Sequence, residues 1–376
     1  MRILVLIHEY PPVGGGGGRV AQDLCEGFLK KGHEVQILTA HCEDLPFKEE
    51  QAGIMIHRLK SWRRLPFKAD IRAMAGYILA SFLNGLKIIR QWKPDLIHVH
   101  FAVPAGVAAW ALSRFTGIPY VMTAHLGDVP GGTPEKTGKW FRWIFPFTPP
   151  IWKKAAHIAA VSEFTKSLAD KHYPVPIHVI HNGVDINILD PGEIFVNDIP
   201  QIVFAARFVE QKNPLNLIKI LARIKDLPWK FKMIGDGVLK PEVIRLIEEF
   251  ELQDRIELPG WVTPEEVIQA YGESDIFFMP SYSEGLPVTG VQALSMGLAL
   301  ILSRAGGNVE LVKEKNGFLV EPDDHEAFET AFRTLLSDKD RLLEARRSSR
   351  EVANFFDLPH IIDQYEQAFQ QILSNH

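Results

Sequence analysis

Glu284 and Gln292 stand eight positions apart in SEGLPVTGVQALSMG. Eight residues cover two helical turns, so both side chains can face one way. One is a carboxylate in a loop and the other an amide on the following helix. The carboxylate accepts from two hydroxyl groups at once, whereas the amide has one acceptor and one two-proton donor. Pro287 suits the first turn of that helix, where its missing N–H costs nothing. Upstream, Arg207 and Lys212 lie in AARFVEQKNP, after an apolar run that begins at Ile202. A planar guanidinium and an ammonium in one strand-to-helix loop could grip a diphosphate, although as isolated surface charges they would mean little. Gly235 and Gly237 of MIGDG, after another apolar run, permit close backbone approach to a ligand or simply make a turn.

The N-terminal half offers two further constellations. Gly14 to Gly18 are five consecutive glycines running into a helix expected to start near Arg19. Bare N–H groups at a helix start form an anion site, because they are unpaired and carry partial positive charge. The plain alternative is a flexible loop. A dinucleotide fingerprint fits poorly: it needs Gly-x-Gly-x-x-Gly directly after its strand, and here His8 to Val13 intervene. His98 and His100 alternate on one strand and share a face, with His125 after the next strand. Three imidazoles suit zinc, but no carboxylate ligand stands beside them, and hydrogen-bonded core histidines are the commoner outcome.

All these residues follow short apolar runs, and the runs set the architecture. Strands are expected to begin at Ile3, Glu34, Ile54, Leu96, Tyr120, His157 and Ile177, with helical periods from Arg19, Ile71, Pro104 and Ser162. The stretch from Asn182 to Pro200 is rich in Asn, Asp, Gly and Pro and reads as a linker. The alternation then resumes, with strands from Ile202, Lys230, Ile256, Ile276, Leu298 and Phe318 and helices from Asn213, Leu239, Pro264, Val288 and His325. The end, Arg341 to Leu373, is helical with a break at Asp357-Leu358-Pro359, since proline cannot continue a helix. Near-continuous apolar strands alternating with helices mean parallel sheets covered on both faces. The expectation is an α/β chain of two doubly wound domains, with ligands outside the carboxyl ends of the strands.

The bulk composition narrows the function. At 376 residues, 46% hydrophobic and 23% charged, the chain suits two globular domains rather than a disordered polymer. A net charge of −5 gives no sign of a nucleic-acid partner. The two cysteines, Cys25 and Cys42, have no metal-site spacing and suggest a reducing compartment. The N-terminal apolar run is too short for a signal peptide, and Ala73 to Leu86 is too short to span a bilayer. A cytoplasmic location is expected.

Taken in order, the motifs resemble the retaining, nucleotide-sugar-dependent glycosyltransferases of family 4, which have the GT-B fold. The resemblance covers nearly the whole chain and rests on EYPPVGG, KKGHEV, TAHLGD, HNGVD, AARFVEQKN, MIGDG, PSYSEGLP and GGNVE…NGFLVEP. It implies an acceptor-binding domain over residues 1–185, joined by a terminal helix over 359–376 that crosses back to it, and a donor-binding domain over 186–358. Gly15 and Gly16 would lie against the donor diphosphate, with Arg207 and Lys212 gripping it. His125 would lie near the transferred sugar and acceptor, and Asp128 completes the same segment. Glu284 would hold sugar hydroxyls, with Leu286 on its loop, and the N–H groups of Val288 and Thr289 would contact phosphate. Gln292 would hold the ribose, Gly235 would line the donor site, and Trp261 and Val262 would meet the base. Glu310 would be a structural carboxylate nearby. His125, Glu284, Arg207 and Lys212 are the residues expected to carry catalysis, with no metal or other cofactor.

The implied reaction moves a hexose from a UDP- or GDP-sugar to an acceptor hydroxyl, sugar or lipid-linked, with retention at the anomeric carbon. The family usually carries Glu-x7-Glu, so Gln292 departs from the pattern, as Pro287 does from a usual glycine. The departures keep a catalytically weakened nucleotide-sugar binder, or a phosphorylase- or hydrolase-type activity, as alternatives. Two stretches also suit an anionic membrane surface. Lys136 to Lys154 interleaves basic residues with Trp140, Phe141, Trp143, Phe145, Phe147 and Trp152, and Lys60, Arg63, Arg64, Lys68 and Arg72 form a second basic stretch. The plain reading is a helix with buried aromatics and a solvated basic edge.

Overall fold

Apolar runs bounded by polar turns become two parallel sheets, each covered by helices. The computed structural model describes residues 1–65, 69–133 and 141–374, without the side chains of Phe141 and Arg142. The chain divides into two units, Met1–Asn182 with Leu358–His376, and Gly183–Asp357.

In the first unit, β1 (Arg2–Leu6) leads into α1 (Gly16–Lys30), followed by β2 (Glu34–Ala40), β3 (Lys48–Gln51), β4 (Ile54–Leu59) and α2 (Ile71–Trp92). Then come β5 (Leu96–His100), α3 (Val107–Thr116), β6 (Tyr120–Ala124), β7 (His157–Ala160) and β8 (His178–Val179). The strand order is β3-β4-β2-β1-β5-β6-β7-β8, and among the described residues only β3 is antiparallel to its neighbour. Every residue of β5 and β6 is buried, as a sheet covered on both faces requires. β3 is not among the strands expected from sequence, because KEEQ is a polar edge strand with no apolar alternation.

The second unit holds β9 (Gln201–Ala205), β10 (Lys230–Ile234), β11 (Ile256–Gly260), β12 (Ile276–Met279), β13 (Ala299–Ser303) and β14 (Gly317–Val320). All pair in parallel, in the order β11-β10-β9-β12-β13-β14. Phe204, Phe231, Phe277, Phe278 and Leu300 sit at the centre of its core. The stretch between Asn182 and Pro200 forms no helix or strand, but Arg350 donates to the carbonyls of Ile186 and Leu189 and so fastens it to this unit.

The Lys339–Ala353 helix ends in a short 3₁₀ turn, and the Leu358–Ser374 helix belongs to the first unit. It packs on α1 and the sheet. Phe369 meets Phe28 with ring centroids 5.3 Å apart, and Tyr365 and Thr123 share a buried hydrogen bond of 2.8 Å. Gly27 is needed there, since a Cβ would come within 1.9 Å of the Ile362 side chain. Lys31 pairs with Asp363, and His33 Nε2 lies 3.1 Å from Glu366.

The structure corrects three local expectations. The glycine run is not simply a loop before Arg19: α1 starts at Gly16, so three glycines form its first turn. They are there because the helix start is crowded, with a Cβ on Gly17 reaching 2.6 Å from the Phe101 ring and one on Gly18 reaching 2.7 Å from the Glu9 carbonyl. Arg63 is buried rather than part of a basic surface, with its guanidinium on Glu9 and the His8 carbonyl. Trp152 is also buried, stacked on Tyr173 at 4.1 Å. Residues 136–140 of the basic-aromatic stretch, and Lys68, lie outside the described residues. Among the described residues no helix is long and apolar enough to cross a membrane.

Candidate active site

In the second unit β9 and β12 are sheet neighbours although two strands separate them in sequence. That arrangement is the switch point at which doubly wound sheets take ligands. The loop after β9 carries Arg207 and Lys212, and the loop after β12 carries Glu284. Lys212 Nζ lies 2.6 Å from Glu284 Oε1, with side-chain exposures of 16% and 5%. An ammonium and a carboxylate expected to serve the same substrate are thus in contact. Arg207 is half-buried, and among the described residues no carboxylate pairs with it.

The Glu284 loop is fixed on several sides. Gln211 Nε2 donates to the Ser283 carbonyl at 2.8 Å, and Asn213 Nδ2 to the Pro280 carbonyl at 3.1 Å. The Ser303 hydroxyl donates to the Ser281 carbonyl, and the Gly307 N–H to the Glu284 carbonyl at 3.0 Å. Gly307 must be glycine, since a Cβ would fall 1.8 Å from the Gly285 carbonyl oxygen. Glu310 is half-buried on the short helix that follows. The Arg207 loop is zipped to the GDG loop: Ala206 N–H donates to the Ile234 carbonyl and Phe208 N–H to that of Asp236. Gly235 has φ +133, and a Cβ there would lie 2.0 Å from the Ala206 carbonyl oxygen. Its close approach is therefore to the chain's own Arg207 loop.

The Val288–Ser295 helix has no side-chain cap. Pro287 occupies its N-cap in extended conformation, not its first turn as expected from sequence, so the Val288 and Thr289 N–H groups have no acceptor within the helix. Leu286 is buried just ahead of them, and Gln292 is half-buried in the second turn with no side-chain hydrogen bond among the described residues. Trp261, exposed, and Val262, half-buried, follow β11, and the Gly260 carbonyl accepts from the Gly235 N–H at 2.9 Å. The second unit thus gathers Arg207, Lys212, Gly235, Glu284, Leu286, Val288 and Thr289 onto the loops at one end of its sheet, with Trp261 and Val262 at the end of the neighbouring strands.

In the first unit the corresponding switch point lies between β1 and β5. His125 follows β6, buried, its ring stacked on Phe101 at 4.3 Å and its Nε2 3.4 Å from His100 Nδ1. Burial pushes its pKa down to about 3, so the imidazole is neutral near pH 7. Asp128 accepts from the Ala102 and His125 N–H groups, each at 2.8 Å. It holds the two loops that carry Phe101 and His125. Gly15 and Gly16 are exposed at the uncapped start of α1. Among the described residues no three His, Cys, Asp or Glu side chains converge on a metal-sized site, and His98 bonds Thr123 Oγ1 at 2.9 Å instead.

Two kinds of residue hold the site with no signal of that role in the sequence. Gln211 and Asn213 flank Lys212 in a motif already singled out, yet their targets are backbone carbonyls that only the fold brings near. Arg63, which ties Glu9 to the end of β1, carries no local signal that it is buried.

The family profile of Glycosyltransferase Family 4 matches residues 14–188, and that of Glycosyl transferases group 1 matches residues 188–352. An uncharacterized glycosyltransferase of Methanocaldococcus jannaschii is 29% identical over 86% of this chain and 85% of its own. The UDP-Gal:alpha-D-GlcNAc-diphosphoundecaprenol alpha-1,3-galactosyltransferase of Escherichia coli is 26% identical over 79% of this chain and 80% of its own. Among solved structures, sucrose-phosphate synthase from Thermosynechococcus elongatus superposes with a TM-score of 0.86 at 19% identity, over 100% of both chains. Anabaena HepE, in complex with UDP and glucose, gives 0.76 at 18% identity over 99% of this chain and 100% of that one. Profiles for both halves, relatives aligned over most of their lengths and a shared two-sheet architecture agree: the chain belongs to glycosyltransferase family 4 of the group 1 glycosyltransferases and has the GT-B fold.

Proposed function

We propose that the protein transfers a hexose from a nucleoside-diphosphate sugar to an acceptor hydroxyl, with retention at the anomeric carbon. The observation that carries this reading is the Lys212–Glu284 contact beside Arg207 and the uncapped start of the Val288–Ser295 helix. Two cations and two free N–H groups suit a leaving diphosphate, on which negative charge grows as the bond to the sugar breaks. Glu284, held against Lys212, suits the hydroxyls of the sugar on that diphosphate. Gln292 lies farther along the same helix and suits the ribose, which does not react.

Bond exchange occurs on one face of the sugar. The bond from the anomeric carbon to the phosphate oxygen breaks, the acceptor oxygen bonds to the same carbon, and its proton passes to the leaving phosphate. His125 fits this scheme as a neutral hydrogen-bonding group. With a pKa near 3 it is too weak a base to take the acceptor proton itself. Gly15 and Gly16 add exposed N–H groups suited to phosphate. A UDP-linked donor and a lipid-linked acceptor are favoured by likeness to the galactosyltransferase of Escherichia coli. The first unit would then take the acceptor and the second the donor.

The half-buried Gln292 in the usual glutamate position favours one second reading, a nucleotide-sugar binder with weakened catalysis. Turnover separates the two. Incubation with UDP- or GDP-hexose and a sugar or polyprenyl-diphosphate acceptor should release nucleoside diphosphate in step with glycoside formation. Tight nucleotide binding without release would establish the binder, and release without an acceptor would establish a hydrolase.

A further inference from the structure

A surface helix normally turns charged residues to solvent, but the middle of the outer face of α2 does not. Ile71, Ala75, Leu79 and Leu83 follow one another at four-residue intervals, and all four are exposed, Leu79 at 58% and Leu83 at 57%. Beside them Phe82 meets Phe115 at the end of α3, ring centroids 5.5 Å apart, and Phe115 is 74% exposed. Trp62, 63% exposed, lies over Gly76 of the same helix, where any Cβ would come within 2.7 Å of the indole. The Trp62 backbone is held at φ 57, a region that bulky residues rarely take. The fold therefore accepts backbone strain to seat an indole at the surface, on a glycine shaped to receive it.

Charge completes the pattern. The 22 residues of α2 include no Asp or Glu, and the acid at its N-cap, Asp70, is turned onto the Ala73 N–H. Arg72 at one end and Lys87 and Arg90 at the other are exposed, as are Lys60 and Arg64 on either side of Trp62.

We propose that this face docks the chain on an anionic lipid surface. The α2 helix would lie in the interfacial plane, with Leu79, Leu83 and Trp62 at the acyl boundary and Arg72, Lys87 and Arg90 on lipid phosphates. A second copy of the chain is the weaker fit, because a two-fold contact would set the same arginines and lysines against each other. The inference goes beyond the transferase reading and does not depend on it, and it needs nothing from residues 134–140.

The test is flotation of the full chain with phosphatidylcholine vesicles, alone and with about one-third phosphatidylglycerol. The wild type should float with the anionic vesicles at low salt, bind pure phosphatidylcholine at least about tenfold more weakly, and be released as salt shortens the range of its charges. Leu79→Glu with Leu83→Glu should reduce binding by about tenfold or more with an unchanged melting curve, since both sites are exposed and Glu is nearly as good a helix former as Leu. If that variant misfolds, Arg72→Glu with Lys87→Glu replaces it and should abolish the preference for anionic vesicles. Wild-type protein that stays unbound at low salt, or variants that float like wild type, would overturn the proposal. So would light scattering that shows a wild-type dimer made monomeric by the leucine changes. A nucleotide-induced melting shift on the same samples reads the donor site separately, so failure of the transferase reading leaves the vesicle result standing.

Discussion

Removing either partner of the Lys212–Glu284 pair should have opposite consequences for the fold and the chemistry. The side chain of Glu284 is 5% exposed and that of Lys212 is 16% exposed, with 2.6 Å between them. Lys212→Ala strands a nearly buried carboxylate, which costs about 3 kcal/mol. For a unit of this size that is a fall of roughly 6–12 °C in Tm. Glu284→Ala strands only an ammonium whose flexible stem can swing its head to water, so about 1 kcal/mol is expected, or roughly 2–4 °C. Function should separate the two variants as well. Lys212→Ala removes a charge-assisted contact to phosphate and should weaken nucleotide binding by about 10–100-fold. Glu284→Ala leaves the ammonium free for phosphate, so nucleotide affinity should hold or rise slightly, while turnover at saturation falls by roughly 100-fold or more. Differential scanning fluorimetry, calorimetric titration of nucleotide and steady-state release of nucleoside diphosphate supply the three numbers. If Glu284→Ala weakens nucleotide as much as Lys212→Ala while saturated turnover survives, the carboxylate serves only to aim Lys212, and its placement at the sugar is wrong.

Gln292→Ala should weaken nucleotide and donor together by about 1–2 kcal/mol with turnover at saturation nearly kept, and Gln292→Glu should keep or tighten binding; titration of UDP against all three forms checks both. Gly235→Ala puts a Cβ 2.0 Å from the Ala206 carbonyl oxygen at φ +133, so the Arg207 loop must move; several kcal/mol of stability and most nucleotide affinity should go, and a variant that binds UDP normally would show that the loop does not depend on this glycine. The first unit should be labile to acid. Burial pushes His8, His98, His125 and His157 down to about 4, 3, 3 and 4, and His100 well below its usual value. Between pH 6.5 and 4 the unfolded chain therefore takes up protons that the folded one refuses, and stability is lost as pH falls. Asp23 and Asp128, pushed up to about 6 and 7 by burial, bind protons when folded and work the other way over the same window. Five imidazoles outweigh two carboxyls, so Tm should fall between pH 6 and 4; a rise would contradict the burial of the histidines.

Much of this architecture could be read from residue order. Runs such as IFFM and ALIL are apolar along their whole length because a parallel strand is covered on both faces, and they stand out against turns of Gly, Asn and Asp. The edge strand KEEQ could not be found that way, since nothing covers it. The start of α1 was misplaced because glycine is read as a helix breaker, whereas here the lack of a Cβ is what lets the helix approach Phe101 and Glu9. The Arg207, Lys212 and Glu284 constellation was legible from motifs of local spacing, because each motif is a strand end and its loop. What holds those loops, the Gln211 and Asn213 amides and the bare Gly307, acts across long sequence separations. Burial of Arg63 and Trp152 within otherwise basic stretches is a tertiary fact of the same kind. The apolar face of α2 was overlooked for a related reason: its leucines look like core until the structure shows them in solvent.

Retaining transfer from a nucleoside-diphosphate sugar would be written in the anomeric configuration of the product. A melting-shift screen of UDP, GDP and ADP selects the nucleotide, since a ligand at about 100 times its dissociation constant adds about 2.7 kcal/mol. Proton NMR of the reaction with the matching α-linked sugar nucleotide then follows the anomeric signal as product forms. An α-glycoside should appear first, with one nucleoside diphosphate released for each sugar transferred. A β-glycoside, or a glycoside formed without release of nucleoside diphosphate, would contradict retaining transfer from such a donor.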